Sequence, residues 1–284
     1  MDIVDIDPQF SQYLREPPRI SYTDEDDPWL VRKLVSSLEV LMGRRKIEAL
    51  YYRLKEMDFD VQTFFAEGLK EAEITVELSD DSLALLPLNG PLMIVANHPF
   101  GVVDGVILCD LASRLRGDFR IMLNSMLCQD RQLAPYFLPI DFSESRFAQK
   151  TNIRSKQLAL QCLSADIPVL TFPSGMVSTA DRLGFGKVVD GPWTTFAAKI
   201  IKEARATVLP VYFHGQNSRK FHVASHIAEP LRMALLIHEA LNKFGKTLRV
   251  EVGEPLGWEQ LESAGGRKQL TDFLYGEVQK LGRA

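Results

Sequence analysis

Within Ala96-Asn97-His98-Pro99-Phe100-Gly101-Val102-Val103-Asp104-Gly105 a histidine and an aspartate stand with five residues between them. An imidazole that donates one ring N–H to a carboxylate is fixed in its tautomer, and its other nitrogen is left as a general base. Pro99 pushes His98 out of the helical region toward an extended conformation. Gly101 permits a sharp change of direction. On a continuous helix, six steps of about 100° would put the two side chains on different faces. They meet only if residues 99–103 form a loop that folds Asp104 back beneath the ring. The alternative is that Asp104 caps the helix after it while His98 bonds locally. The pattern alone leaves both readings open.

Such a pair needs elements to hold it. The apolar run 92–95 predicts a short buried strand before the turn, and 106–115 predicts a helix after it. Open α/β sheets present their chemistry at the end of such a strand. Further strands are expected at 73–77, 119–123, 138–141, 169–172, 208–213 and 248–252. Helices are expected at 61–71, 106–115, 154–164, from Pro192 to Ala206, from Pro230 to a stop at Gly245, and at 268–281. This alternation predicts an α/β fold, a mostly parallel central sheet flanked by helices. The central strands are Val/Leu/Ile-rich without polar alternation, as burial on both faces requires.

Before the sheet, residues 1–27 form an acidic, proline-containing arm that packs irregularly or stays mobile. Residues 28–90 read as a helical N-terminal region, and 91–284 as the α/β domain. Within the second, 28–57 reads as one long helix with Leu30, Val31, Leu34, Val35, Leu38, Leu41 and Met42 at helical spacing. Arg32, Lys33, Arg44, Arg45 and Lys46 lie beside them. A basic amphipathic helix of this kind either rests on an anionic membrane or packs on the core with a solvated basic face.

Composition narrows the function classes. With 284 residues, 46% of them hydrophobic, the chain can bury a substantial core. A net charge of −4 argues against a nucleic-acid binder. No apolar run reaches the length of a membrane span, and the acidic first residues lack the layout of a secretory signal. The three cysteines, Cys109, Cys128 and Cys162, are widely spaced in apolar contexts and read as reduced core residues of a cytosolic protein.

Other candidates were weighed. Thr171-Phe172-Pro173-Ser174-Gly175-Met176 ends a predicted strand and would border the same cleft as His98. No G-x-S-x-G elbow surrounds Ser174, so the turn reads as substrate-lining, with backbone N–H groups available to an oxyanion. Gly184-Phe185-Gly186-Lys187 fails the strand-then-helix context of a phosphate loop and reads as a flexible loop. His214, His222, His226 and His238 lack a complete ligand set, so no metal is expected. Arg146, Lys150, Arg154 and Lys156 read as solvated charges or as receivers of a phosphate or carboxylate head group.

Taken in order, four blocks resemble the glycerophospholipid/lysophospholipid (PlsC-like) acyltransferase superfamily, and within it the hemolysin-like, lyso-ornithine-lipid type branch. They are Asn97-His98 with Asp104, the Phe172-Pro173-Ser174-Gly175 turn followed by Ser178, Asp190 with Trp193, and Leu209-Pro210-Val211-Tyr212-Phe213-His214-Gly215-Gln216-Asn217-Ser218. The resemblance spans about residues 92–255. It implies transfer of a fatty acyl chain from acyl-CoA or acyl-carrier protein to the hydroxyl of a lyso-lipid. His98 would be the general base and Asp104 its orienter. Asn97, Gly101 and the 172–175 turn would border the acceptor, and no bound cofactor would be needed. It also implies a cytoplasmic enzyme that touches the membrane peripherally through 28–57. The same pair acting on water would make a hydrolase, and loss of catalysis would leave a lipid-binding module. Two departures bear on the acceptor: Ser174 and Val177 stand where the main glycerol-phosphate group has glutamate and arginine. They favour an amino-acid-based lyso-lipid, with Arg146, Lys150 or Arg154 as head-group contacts.

Overall fold

A computed structural model describes residues 6–21, 28–58, 60–78 and 89–283. The expected strand and loop around 73–90 are described only up to Leu78 and from Asn89, and the ends of the acidic arm lie outside the described residues.

The seven strands are β1 (Thr75–Leu78), β2 (Leu92–Ala96), β3 (Arg120–Asn124), β4 (Phe137–Ile140), β5 (Val169–Thr171), β6 (Thr207–Phe213) and β7 (Thr247–Val252). They form one sheet in the order β1-β7-β6-β2-β5-β3-β4. The five strands β6-β2-β5-β3-β4 run parallel. β7 is antiparallel to β6, and β1 is parallel to β7, so these two run against the rest. The sheet is therefore mostly parallel but mixed.

Helices cover both faces: α1 (Trp29–Leu41), α2 (Arg44–Lys55), α3 (Val61–Glu71), α4 (Val102–Arg116), α5 (Arg146–Ser164), α6 (Phe196–Ala204), α7 (Arg219–Ser225), α8 (Glu229–Leu241), α9 (Trp258–Ser263) and α10 (Arg267–Leu281). Alternation along β2 divides the core. Leu92, Ile94 and Ala96 face a layer built from α3 and α4, while Met93 and Val95 face α5, α6, α9 and α10. Every β2 residue is buried. The turn after β2 therefore hangs from the wholly buried middle strand of the sheet. Leu209 of β6 is wholly buried in the first layer. Leu209→Ala should cost about 2–5 kcal/mol, read by urea denaturation.

Several expectations need correction. The single helix at 28–57 is two helices, broken where Gly43 takes φ of 101°. A side chain there would lie 2.4 Å from Leu241 Cδ1, so the glycine also lets the α1–α2 corner seat on α8. The helix after Gly101 starts at Val102, not at 106, and α5 starts at Arg146, eight residues before the expected Arg154. Pro192 precedes α6 without opening it, and α7 and α9 are additional short helices. The described part of the arm is ordered by contacts. Asp7 pairs with Arg154 at 2.7 Å, Tyr13 bonds Thr151 at 3.0 Å, and Phe10 is buried. All three cysteines are free and buried. Among the described residues no helix is long and apolar enough to cross a membrane.

Candidate active site

His98 and Asp104 meet. His98 Nδ1 lies 3.0 Å from Asp104 Oδ2. The crossing is shorter than the sequence suggests: the loop is only residues 99–101, and Asp104 sits in the first turn of α4. At that third helical position its carboxylate reaches back over the helix N-terminus, where the same Oδ2 accepts the N–H groups of Phe100 (2.8 Å) and Gly101 (3.0 Å). Capping and orienting are thus one arrangement, not alternatives. Gly101 makes it possible, with φ of 93° and Leu236 and Val177 within 3.4 Å of any added Cβ.

Asp104 is fully buried, and its Oδ1 has no hydrogen-bond partner among the described residues. Burial raises its pKa; His98 and the two amides oppose that rise. The imidazole lies nearly parallel to Phe172 at 4.0 Å between ring centroids and keeps 18% of its surface exposed. Its Nε2 has no hydrogen-bond partner among the described residues. If Nδ1 donates to Asp104, Nε2 is left as the acceptor nitrogen of a partly exposed ring, the arrangement that a general base requires.

A second carboxylate fixes the main chain of His98. Asp190 Oδ1 accepts the His98 N–H at 3.2 Å and the Ser178 hydroxyl, and its Oδ2 accepts the Trp193 indole N–H at 2.9 Å. Ser178 N–H in turn donates to the His98 carbonyl at 2.8 Å. Asp190, Trp193 and Ser178 therefore share one task across 92 residues of chain. Asp190→Ala should release the histidine backbone and lower kcat about 10²-fold with KM changed far less. Steady-state kinetics on the folded variant would check it.

The structure disposes the other predicted residues as follows. Asn97 is buried and clips the end of β2 to β6, donating to the Phe213 carbonyl (3.0 Å) and accepting its N–H (2.7 Å). It therefore braces the cleft from behind. Phe172, Pro173, Ser174 and Gly175 form a turn closed by Gly175 N–H to the Phe172 carbonyl at 2.9 Å, with the Pro173 carbonyl held by Thr194. Ser174 Oγ donates to the Met176 carbonyl at 2.8 Å, inside its own turn, and no side-chain base bonds it among the described residues. Phe142 and Met176, on loops, and Val102, the first residue of α4, are exposed apolar side chains at this end of the sheet, and the Phe142 ring lies 2.8 Å from the Cβ position of Gly175.

The basic residues of α5 lie apart from the pair. β4, which feeds α5, is three strands from β2, a lateral distance of roughly 14 Å. Arg154 is engaged by Asp7, and Lys150 and Arg154 line a groove whose opposite wall is Pro8, Gln9 and Gln12. Arg146 opens α5 and is exposed. Lys156 pairs with Glu203.

Two of the remaining histidines are held by the main chain. His222 Nδ1 and His226 Nε2 both bond the main chain of Ala180. His214 Nε2 lies 3.8 Å from Glu251. The 184–187 loop is seated tightly, since a Cβ on Gly184 would be 2.7 Å from Arg219 Cγ, and Arg219 stacks over Phe185 at 3.6 Å.

Two residues without motif signal also border the site. Arg232 of α8 donates to the Val177 carbonyl at 2.7 Å, and Lys243 lies behind Phe100. The sequence feature that marks Arg232 is a cation set within the apolar run 231–237 of α8.

Comparison with known proteins relates the chain as a whole to a family. The family described as Acyltransferase matches residues 25–281. The chain is 29% identical over 265 residues to a lyso-glycine lipid O-acyltransferase of Phocaeicola vulgatus, an alignment covering 89% of each chain. It is 29% identical over 207 residues to a lyso-glycine lipid O-acyltransferase of Bacteroides thetaiotaomicron, covering 69% of this chain and 72% of that one. The crystal structure of the 1-acyl-sn-glycerophosphate (LPA) acyltransferase PlsC from Thermotoga maritima aligns with a TM-score of 0.49 at 15% identity, over 89% of this chain and 88% of that one.

Proposed function

This chain belongs to the acyltransferase family, as an O-acyltransferase of the lysophospholipid type, and we propose that it moves a fatty acyl group from a thioester to the hydroxyl of an amino-acid-headed lyso-lipid, with His98 as general base. The observation that carries the proposal is the His98–Asp104 contact at 3.0 Å on an imidazole that keeps 18% of its surface exposed. In the proposed reaction Nε2 takes the proton of the acceptor hydroxyl as its oxygen attacks the thioester carbonyl. The tetrahedral intermediate collapses with cleavage of the C–S bond, and the imidazolium returns its proton to the departing thiolate. This resembles the base and orienter of a serine-type triad, with the substrate oxygen as nucleophile.

Two features support the remaining parts of the reading. Among residues 173–176, only the Ser174 N–H lacks a partner among the described residues, which suits it to the developing oxyanion. The exposed Phe142, Met176 and Val102 give the acyl chain an apolar rim. Acyl-CoA and acyl-carrier protein are both proposed donors, since either presents the same activated bond.

For the acceptor, the names of the two relatives favour an amino-acid head group. Peripheral contact with the cytoplasmic face of the membrane is proposed through 28–57. There Trp29, Leu30, Leu34 and Leu41 are 56–79% exposed, beside exposed Lys33, Arg45 and Lys46. Incubating the protein with an acyl thioester and lyso-glycine or lyso-ornithine lipid, and separating the products by mass spectrometry, tests the proposal. Acylated lipid is the expected product; free fatty acid formed equally well without acceptor would make the protein a hydrolase instead.

A further inference from the structure

Between Ser178 and Asp190 the chain closes into a hairpin. Thr179 and Val189 pair antiparallel, each N–H donating to the other's carbonyl at 3.0 and 3.1 Å. The base of the hairpin is fastened to the His98 turn. Ser178 N–H donates to the His98 carbonyl at 2.8 Å, and Asp190 Oδ1 accepts the His98 N–H at 3.2 Å. The tip is held as firmly. Asp181 Oδ1 accepts the N–H groups of Leu183 (3.0 Å) and Phe185 (2.9 Å), and Asp181 N–H donates to the Phe185 carbonyl at 3.2 Å. From α7, Arg219 Nε donates to the Leu183 carbonyl at 3.0 Å, and its guanidinium lies 3.6 Å from the centre of the Phe185 ring.

Yet Leu183 is 68% exposed and Phe185 54%. Loop tips are usually small and polar. This one is ordered by main-chain bonds and holds two large apolar side chains out in water, where their burial contributes little to the fold. Exposed cations surround them: Arg182, Lys187, Arg219 and Lys220. The one carboxylate within 181–187 and 219–225 is that of Asp181, already engaged by the two backbone amides. Four positive charges against one negative leave +3 locally, on a chain whose net charge is −4. An anionic surface is thus drawn to this patch in particular.

We propose that the 179–189 hairpin is a membrane-docking element: Leu183 and Phe185 enter the apolar edge of an anionic bilayer while Arg182, Lys187, Arg219 and Lys220 meet its phosphates. Apolar side chains at the tip of a hairpin suit a medium that opens around them, whereas a folded partner has to carry a matching pocket. Leu183 lies five steps of chain from Ser178, at most about 18 Å when fully extended. A bilayer that receives the tip therefore has the His98 turn close to its head groups, where a lyso-lipid presents its hydroxyl. The purpose of the docking rests on the acyl-transfer reading; the docking itself does not.

Co-sedimentation with vesicles of phosphatidylcholine alone and of an equal mixture with phosphatidylglycerol tests the assignment. Leu183→Ser/Phe185→Ser should bind the mixed vesicles at least about tenfold more weakly than the parent. Arg182→Gln/Lys187→Gln should lose about tenfold on the mixed vesicles and nothing on phosphatidylcholine alone. A third protein guards against a folding defect in these variants. Leu183→Cys, labelled at the new thiol with a polarity-sensitive dye while the three native cysteines stay buried, should shift its emission to the blue on the mixed vesicles. Spin-labelled lipid should then quench it. Parental binding by both double variants would overturn the assignment. So would a dye that stays in water on vesicle-bound protein, the result expected if 28–57 alone makes the contact. A blue shift produced by acyl-carrier protein and not by vesicles would make the tip a protein-docking site and overturn it as well. None of these readouts needs turnover, so failure of the acyl-transfer reading shows itself separately, as a His98→Ala protein with the parent's rate.

Discussion

His98→Ala is expected to lower kcat/KM by 10²–10⁴-fold while the protein stays folded. The magnitude is what a well-placed general base contributes. The fold should survive because the imidazole makes one side-chain hydrogen bond, to Asp104, and one stack, on Phe172, and keeps part of its surface in solvent. The His98 backbone contacts with Asp190 and Ser178 do not depend on the side chain. Kinetics and a thermal melt on the same preparation check both halves of the expectation.

Asp104→Asn separates activity from stability still more sharply. An asparagine oxygen can continue to accept from Phe100 and Gly101, so the start of α4 is kept. It cannot hold His98 in the required tautomer as a carboxylate does, and kcat should fall about 10²–10⁴-fold. Stability should move the other way. Burial, the largest influence, raises the pKa of Asp104 in the folded protein. A raised folded pKa means that ionisation favours the unfolded chain. The aspartate's stability relative to asparagine is thus retained below the unfolded pKa and lost as pH rises through the folded one. At pH 7–8 the variant should melt at or above the parent, and its margin over the parent should shrink on acidification toward pH 4. A variant melting well below the parent at pH 8 would contradict this. Such an outcome would make Asp104 a structural anchor that catalysis merely shares.

The pairing of His98 with Asp104 was legible because it is local: Pro99 and Gly101 announce a reversal, and six positions of chain must close it. What the sequence concealed was how little loop was needed. Val102 and Val103 read as loop because the apolar run resumes clearly only at Val106. In the structure they are the first turn of a helix that Asp104 itself caps. The break at Gly43 was also present in the sequence, but helical spacing of the leucines on either side masked it. The reversed direction of β7 is not a local property of its residues; it follows from the route of the chain through α7 and α8. Long-range partners were the least legible. Arg154 reads as a free cation until Asp7, 147 residues away, is seen to hold it. Lys243 carries no motif at all, and its burial emerges only where Phe100, Glu239 and Gln216 converge.

The measurement that bears most directly on the whole account is acceptor-dependent thioester consumption by the parent and by His98→Ala. Thiol release and acyl-lipid formation are followed together, with and without a lyso-lipid. The account predicts that the parent releases one thiol per acylated lipid, that release nearly stops without acceptor, and that His98→Ala abolishes both signals. Undiminished acyl-lipid formation by His98→Ala would contradict it.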